Sequence, residues 1–325
     1  MIADLELFDC HDIAAKEEHR GVTLVEMKAK SILNRCTSPG TPFRWTINPY
    51  RGCEFGCVYC YARYTHEFLD LRDPDDFERR IFVKRRAGEL LMRALARTPI
   101  GSDAIAIGTA TDPYQPAERV FQLTRSMLQV FASLGGLELS LTTKSALITR
   151  DLDLLTQINR RSRLSVNFSL ITLDRKLQRL LEPRAPRPPL RLAALRTLRE
   201  AGIRCNVLIM PVLPGITDSE GSLDLLIAAA SAAGANGVWW RTLFLKPAAA
   251  RKFVPFIERN FPRLRERYDA FYATSAYAPR AYNERLGSVF DQLRRRYGFP
   301  LDREPIGQNS SAAAHRPAIQ LHLAG

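Results

Sequence analysis

The chain has 325 residues, of which 46% are hydrophobic, and 47 Lys and Arg against 34 Asp and Glu leave a formal net charge of +13. That hydrophobic share can bury a full core, in one large domain or one domain with an appendage, while six cysteines are too sparse for a disulfide framework. No apolar run reaches the length of a bilayer span, those around 203–210 and 223–233 being too short. Met1-Ile-Ala-Asp-Leu-Glu lacks the basic start and apolar run of a secretory leader, so a reducing cytoplasm is the expected compartment. The positive balance suits a partner with phosphates, nucleic acid being the class in view. Its bland counterpart is solvated arginine on helix faces, as at Arg191, Arg196 and Arg199.

In chain order, residues 1–41 have mixed polarity, with a strand expected over 22–27 and a turn cluster, Ser38-Pro-Gly-Thr-Pro42, as a boundary. Phe43-Arg-Trp-Thr-Ile47 alternates aromatic and β-branched residues and reads as the strand that delivers the next loop. That loop runs Asn48-Pro-Tyr-Arg-Gly-Cys53-Glu-Phe-Gly-Cys57-Val-Tyr-Cys60-Tyr-Ala-Arg63. Helices are expected over 86–97, 116–134, 151–160, 189–201 and 219–233, alternating with strands over 103–108, 137–143, 163–170, 203–210 and 237–243. Such alternation predicts an α/β fold with a parallel sheet and helices outside it. Residues 246–306 read as a helical region with two or three arginine-rich helices over 251–298, and 307–325 read as a disordered tail.

Strand faces point to where a ligand sits. Glu138, Ser140, Thr142 and Lys144 share one face against Leu137, Leu139 and Leu141; Ser165, Asn167 and Ser169 alternate with Leu164, Val166 and Phe168; Arg204 and Asn206 alternate with Cys205 and Val207. Buried parallel strands usually read as continuous apolar runs, so one polar face on three successive strands implies an inner surface that holds a polar ligand. A partly open barrel suits this better than a closed one.

Three thiolates in a loop punctuated by Gly52 and Gly56 can converge on one metal centre. Zinc wants four ligands and an ordinary four-iron cluster four cysteines, so three suggest a cubane with one iron left open. The competing reading is a zinc knuckle completed by Cys36, Cys10 or His66, in a metal-stabilised nucleic-acid-binding protein without catalysis. Beyond the loop, Gly108-Thr-Ala-Thr-Asp-Pro-Tyr-Gln-Pro-Ala-Glu118 is dense in hydrogen-bonding groups, although its end also opens a helix. Lys144 stands at the mouth of the polar face, where a cation can pair with a carboxylate, and Glu182 with Arg191 reads as a charged pair at the ligand. Tyr268, Tyr272, Tyr277 and Tyr282 interleave with arginines, a pattern able to track a nucleic-acid strand.

The cysteine loop resembles the Cys-x-x-x-Cys-x-aromatic-Cys signature of the radical S-adenosylmethionine (radical SAM) superfamily, with Tyr59 in the aromatic position. Over roughly 42–217 the chain also resembles the spore photoproduct lyase branch, in Tyr61 after the last cysteine, Thr143-Lys144, Phe168-Ser169, Glu182-Pro with Arg191 nine positions on, and Met210-Pro211. The resemblance implies a partial (β/α)6 TIM-like barrel over 42–245 with a C-terminal helical extension. It implies a [4Fe-4S] cluster on Cys53, Cys57 and Cys60 whose open iron binds SAM, and reductive cleavage to a 5′-deoxyadenosyl radical. It further implies SAM contacts at Lys144 and Ser169, at Tyr59, Tyr61 and Arg191, with Asp112 for the methionyl amino group and Thr109 and Thr111 behind it; the polar strand face adds Asn167 within reach of the ribose, and the charged pair adds Glu182. An electron donor of the flavodoxin or ferredoxin type is the implied partner. One departure stands out: the lyase carries a hydrogen-returning cysteine after its cluster, whereas no cysteine lies between Cys60 and Cys205 here, which leaves Cys205 or Tyr114 for that role.

Overall fold

Apolar residues at alternate strand positions and at helical spacing meet in one sheet-and-helix core in the computed structural model, which describes residues 13–19, 21–38 and 40–301. Its strands are β1 (Ile13–His19), β2 (Val22–Met27), β3 (Leu33–Arg35), β4 (Trp45–Ile47), β5 (Tyr50–Arg51), β6 (Arg80–Val83), β7 (Ala104–Ile107), β8 (Glu138–Thr143), β9 (Arg163–Ser169), β10 (Arg204–Val212) and β11 (Gly237–Thr242). The larger sheet has the order β11-β10-β9-β8-β7-β4-β3. All its neighbours pair in parallel except β3, which runs antiparallel along β4. The alternation of strands and helices thus yields the mixed α/β fold with a parallel sheet that the sequence predicts.

The two faces of this sheet differ in the way the alternation demands. Leu139, Leu141, Val166, Phe168, Cys205, Val207 and Ile209 are each at most 1% exposed and pack in the same core as Leu155, Ile158, Leu195, Leu198, Leu223 and Ile227 of the covering helices. Each such side chain contributes about 1.5–3 kcal/mol by leaving water. Ser140, Thr142, Ser165, Arg204, Leu208 and Met210 lie on the opposite face and stay half-buried, so that face is not closed over by a second apolar layer.

Three features depart from the sequence reading. The single helix expected over 116–134 is two, Glu118–Phe121 and Leu123–Ser133, broken at Gln122 with φ +49°. The break lets the Glu118 carboxylate accept from Thr124 N at 3.0 Å and Arg125 N at 3.2 Å, capping the second helix from within the first. Helix Arg175–Leu181 was not expected; Asp174 starts it by accepting from Lys176 N and Leu177 N. A second sheet, β1-β2-β6-β5, was foreseen only at β2, and through β5 it carries the start of the cysteine loop.

After β11 come helices Pro247–Asn260, Arg265–Tyr272 and Arg280–Arg296. The last of these packs on helix Glu220–Ala232 and stacks Phe290 on Trp240 with ring centroids 4.8 Å apart. Among the described residues no helix is long and apolar enough to cross a membrane. The tail expected to be disordered, 307–325, lies outside the described residues.

Candidate active site

The cysteine loop leaves the carboxyl end of β4 and is held from several sides. Gly52 adopts φ +88°, and a Cβ there would lie 2.8 Å from both Arg80 O and Phe77 O, so no larger residue fits. Cys53 N donates to Phe77 O at 2.9 Å, and Val58 N to Leu181 O at 3.0 Å. Arg63 reaches back under the loop, donating to Cys57 O at 2.9 Å and pairing with Glu78 at 2.5 Å. Glu54 N donates to Gln115 Oε1 at 2.9 Å, while Glu54 Oε1 accepts from Ala117 N at 2.7 Å.

All three thiols are free, Cys53 and Cys57 buried and Cys60 half-buried. Burial pushes the Cys57 thiol up to about 12 despite the nearby Lys144 charge, and it raises Cys53 and Cys60 as well. Thiols placed this way stay protonated alone and ionise when a metal cation supplies the compensating charge, and three sulfur donors on one loop are the donor set that an iron-sulfur centre takes. Among the described residues no three His, Cys, Asp or Glu side chains are arranged to hold one metal ion. Of the three candidates for a fourth zinc ligand, Cys36 Sγ contacts Thr41 Oγ1 at 3.5 Å, His66 Nε2 is bound to Arg80 O at 2.9 Å, and Cys10 lies outside the described residues.

The loop after β7 is laced to the cysteine loop. Gly108 (φ +86°) starts it, at a place where a Cβ would meet Pro113 Cδ and Thr142 O at 2.6 Å. Thr111 Oγ1 donates to Gly52 O at 2.5 Å, and Gln115 Nε2 donates to both Thr111 Oγ1 and Gly52 O, at 2.9 and 3.2 Å. Tyr61 OH donates to Thr109 O. Asn48 donates to Thr109 Oγ1 at 3.2 Å and accepts from Ala110 N at 2.8 Å. The Asp112 carboxylate accepts from Thr143 Oγ1 and Lys144 N, both at 2.7 Å, and from Tyr114 N at 2.9 Å. Thr109, Thr111 and Asp112, expected at the ligand, therefore spend these groups on fixing one loop against another. Asn48, Glu54, Arg63 and Gln115 belong to the same bracing and were missed; the partners of Asn48, Glu54 and Gln115 lie some sixty residues away, while Arg63 bonds nearby groups through a fold of the loop that periodicity does not reveal.

Lys84 completes this bracing by donating from Nζ to Asn48 O at 2.8 Å, and burial, with Arg51 adding a little, lowers its pKa from 10.5 to about 7. A base whose folded pKa is depressed withholds stability as pH falls from its unfolded value to its folded one. The native fold is accordingly expected to lose stability between about pH 10.5 and pH 7, by at most roughly 1.4 kcal/mol per pH unit from this group. Lys84→Met should flatten that part of a urea-denaturation pH series.

A charged cluster faces the thiols across the open face. Glu182, at the end of helix Arg175–Leu181, accepts from Tyr59 OH and from Arg191 Nη2, and both Glu182 and Arg191 are fully buried. Arg191 Nη1 donates to Ser169 O and Nε to Pro186 O, at 2.9 and 2.8 Å. Lys144 Nζ donates to Ser169 Oγ at 3.0 Å, lies 3.9 Å from Glu182 Oε1 and 5.9 Å from the Tyr59 ring centroid. Burial alone would raise Glu182, yet Arg191 and Lys144 hold its carboxyl below the usual range. Tyr59, Lys144, Ser169, Glu182 and Arg191 thus come together as expected. Arg191 is no solvated helix-face arginine, because helix Pro188–Glu200 turns it inward onto Glu182. One rung along the sheet, Asn167 Nδ2 donates to Ser140 Oγ at 2.9 Å.

Neither residue named for hydrogen return faces this space. Cys205 is fully buried in the core between sheet and helices, and Tyr114 is 1% exposed in the same core. The tyrosines expected to track nucleic acid divide in two. Tyr268 OH bonds Pro214 O at 2.9 Å and Tyr282 OH bonds Asp218 at 2.7 Å, so both cement the C-terminal helices. Tyr277 is 64% exposed, its ring centroid 4.6 Å from that of Phe244, which lies 6.4 Å from that of Tyr61. Lys246 Nζ stands 4.9 Å from the Tyr64 ring centroid and 5.4 Å from that of Phe244, giving the mouth an aromatic rim with a cation on it.

Comparison with known proteins follows this geometry. The radical SAM superfamily matches residues 47–226. An uncharacterized protein of Mycobacterium tuberculosis is 37% identical over 294 residues, covering 90% of this chain and 86% of the relative. An uncharacterized protein of Methanocaldococcus jannaschii is 30% identical over 241 residues, covering 74% of this chain and 85% of the relative. Among solved structures, spore photoproduct lyase complexed with dinucleoside spore photoproduct superposes with a TM-score of 0.62 at 15% identity, covering 84% of this chain and 79% of the lyase. At that identity the likeness is one of fold.

Proposed function

The chain belongs to the radical SAM superfamily, and from that premise we propose that Cys53, Cys57 and Cys60 hold a [4Fe-4S] cluster with one iron open to SAM, in a partial (β/α)6 barrel over residues 42–245. The observation that carries the proposal is three free, buried or half-buried thiols on one braced loop at the carboxyl end of β4, beside the Lys144–Glu182–Arg191 cluster. When bound and reduced, the cluster supplies the electron that splits SAM and generates the 5′-deoxyadenosyl radical, which takes a hydrogen atom from the substrate.

The chain's own residues bind and aim. Lys144 pairs with the SAM carboxylate, and Glu182 keeps its ammonium at the mouth without being free to compete, since Arg191 and Tyr59 already occupy the carboxylate. Ser169 faces the ribose from β9, whereas Asn167, its amide held between Ser140 and Asn206, lies deeper on the same face. Thr109, Thr111 and Asp112 act on SAM through the loop they fix, and Tyr61 closes that loop from the exposed side. The described strands before residue 42 and the helices Pro247–Asn260, Arg265–Tyr272 and Arg280–Arg296 flank this core, and a flavodoxin- or ferredoxin-type protein in a reducing cytoplasm donates the electron.

Nucleic acid is the proposed substrate class. The +13 charge supports it, as does the rim of Tyr61, Phe244 and Tyr277 with Lys246, whose ring faces and cation suit an unstacked base and its phosphate. The solved neighbour with a bound dinucleoside photoproduct shares the fold. Single-stranded oligonucleotide binding should weaken steeply with rising salt, and affinity indifferent to salt would remove this part of the proposal. The cofactor is tested by counting iron and sulfide in protein purified without oxygen: about four of each per chain is expected, and zinc in their place would overturn it.

A further inference from the structure

Deeper on the open face than Lys144 and Ser169, one ladder rung joins Thr142, Asn167, Asn206 and Gly237. It lies two residues, about 7 Å, toward the amino ends of the strands. Asn206 Nδ2 donates to Asn167 Oδ1 at 3.0 Å, and Asn167 Nδ2 donates in turn to Ser140 Oγ. The chain of amides fixes the orientation of each and leaves Asn206 Oδ1 as an acceptor with no partner, on a side chain only 6% exposed. A buried carbonyl oxygen without a donor costs about 1–3 kcal/mol unless a ligand supplies one.

The next strand brings only a glycine, Gly237, up to that oxygen. At Gly237 a Cβ would come within 3.1 Å of Asn206 Oδ1 and 3.2 Å of Trp239 Cε2 and Cζ2. The Trp239 ring therefore lies along the rung, with Arg294 Cζ 4.7 Å from its centroid, and it remains half-buried. An aromatic ring beside an orphaned acceptor fits a planar nitrogen heterocycle that carries an N–H.

We propose that Asn206, oriented by Asn167, is a specificity-determining residue whose Oδ1 accepts an N–H from a nucleobase of the substrate seated against Trp239, in a subsite separate from that of SAM. The inference rests on the nucleic-acid reading above and adds the subsite and the donor it selects. The occupant is set apart from SAM by depth, because the Lys144–Ser169 layer proposed for SAM is one rung nearer the mouth. Asn206 has no counterpart of this kind on β8, where Thr142 occupies the same rung.

The test is equilibrium dialysis of the full chain, with and without its reconstituted cluster, against thymidine, cytidine and adenosine, each paired with its N-methylated analogue lacking the donor: 3-methylthymidine, N4,N4-dimethylcytidine and N6,N6-dimethyladenosine. At least one parent should bind about tenfold more tightly than its analogue, as one hydrogen bond is worth. Asn206→Leu should erase that difference while SAM affinity and iron content stay unchanged. Gly237→Ala, which keeps every polar group and sets a methyl group against Asn206 Oδ1 and the Trp239 ring, should weaken the same parent nucleoside. Equal binding of all pairs, or a preference that survives Asn206→Leu, would overturn the proposal. So would a parallel loss of SAM affinity, which would make the adenine of SAM the occupant, or equal competition by N-acetylglycinamide, which would point to a peptide. Four irons per chain with no nucleoside preference would sink the subsite alone, whereas absence of iron would sink the cofactor reading alone.

Discussion

Cys57→Ala is expected to leave the protein folded but unable to retain a full complement of iron, and to lower reductant-dependent SAM cleavage by at least about 100-fold, since changes merely around a metal site already cost 10–100-fold. The reason lies in the loop. Cys57 is buried beneath the same elements that brace Cys53 and Cys60, its carbonyl is gripped by Arg63, and its thiol lies near Lys144 and Glu182. Ala removes the sulfur without disturbing the grip on the backbone, because Arg63 bonds the carbonyl. Iron content and 5′-deoxyadenosine yield of the variant, measured beside far-UV circular dichroism, check both halves of the expectation. Undiminished cleavage would remove Cys57 from the cofactor site.

Glu182→Gln is the second large effect, and it strikes folding as well as function. Glu182 and Arg191 are both fully buried, so neutralising one strands the other charge away from water at a cost of about 3–5 kcal/mol. Denaturant unfolding at pH 7 should show that loss. Replacing the pair together by Met and Leu should cost less, since no charge is then stranded. The pH dependence has a definite sign: Glu182 is held below its usual range, so its contribution is complete above the ordinary carboxylate pKa and is lost as pH falls through the lowered one. Wild type should therefore lose this increment on acidification and Glu182→Gln should not. An unchanged unfolding midpoint in the variant would show that the pair carries no net stability.

What the sequence discloses and what it conceals follow from the range of the interactions involved. The cysteine loop is legible because its three sulfurs and two glycines lie within a dozen residues. The polar inner face is legible because strand side chains alternate, so Ser140, Asn167 and Asn206 could be assigned to one surface from spacing alone. Tyr59, Glu182 and Arg191 meet as the resemblance implies, though nothing local marks Arg191 as buried. The bracing is not legible. Thr111 to Gly52 O and Glu54 N to Gln115 span 59 and 61 residues, and the carbonyl needing a donor leaves no trace in periodicity. For the same reason the bonds that Asp112 accepts from Thr143, Lys144 and Tyr114 could not be read from the sequence. The break at Gln122 was hidden because a helix-compatible sequence adopts φ +49° there, in a conformation that lets the Glu118 carboxylate cap the helix that follows.

The account turns on whether this chain performs the chemistry its loop is built to hold. The most direct measurement is 5′-deoxyadenosine formation from SAM by anaerobically reconstituted protein, with and without dithionite. Product that appears only with both cluster and reductant, and disappears in Cys57→Ala, is the predicted result. SAM left intact by protein carrying four irons per chain would contradict it.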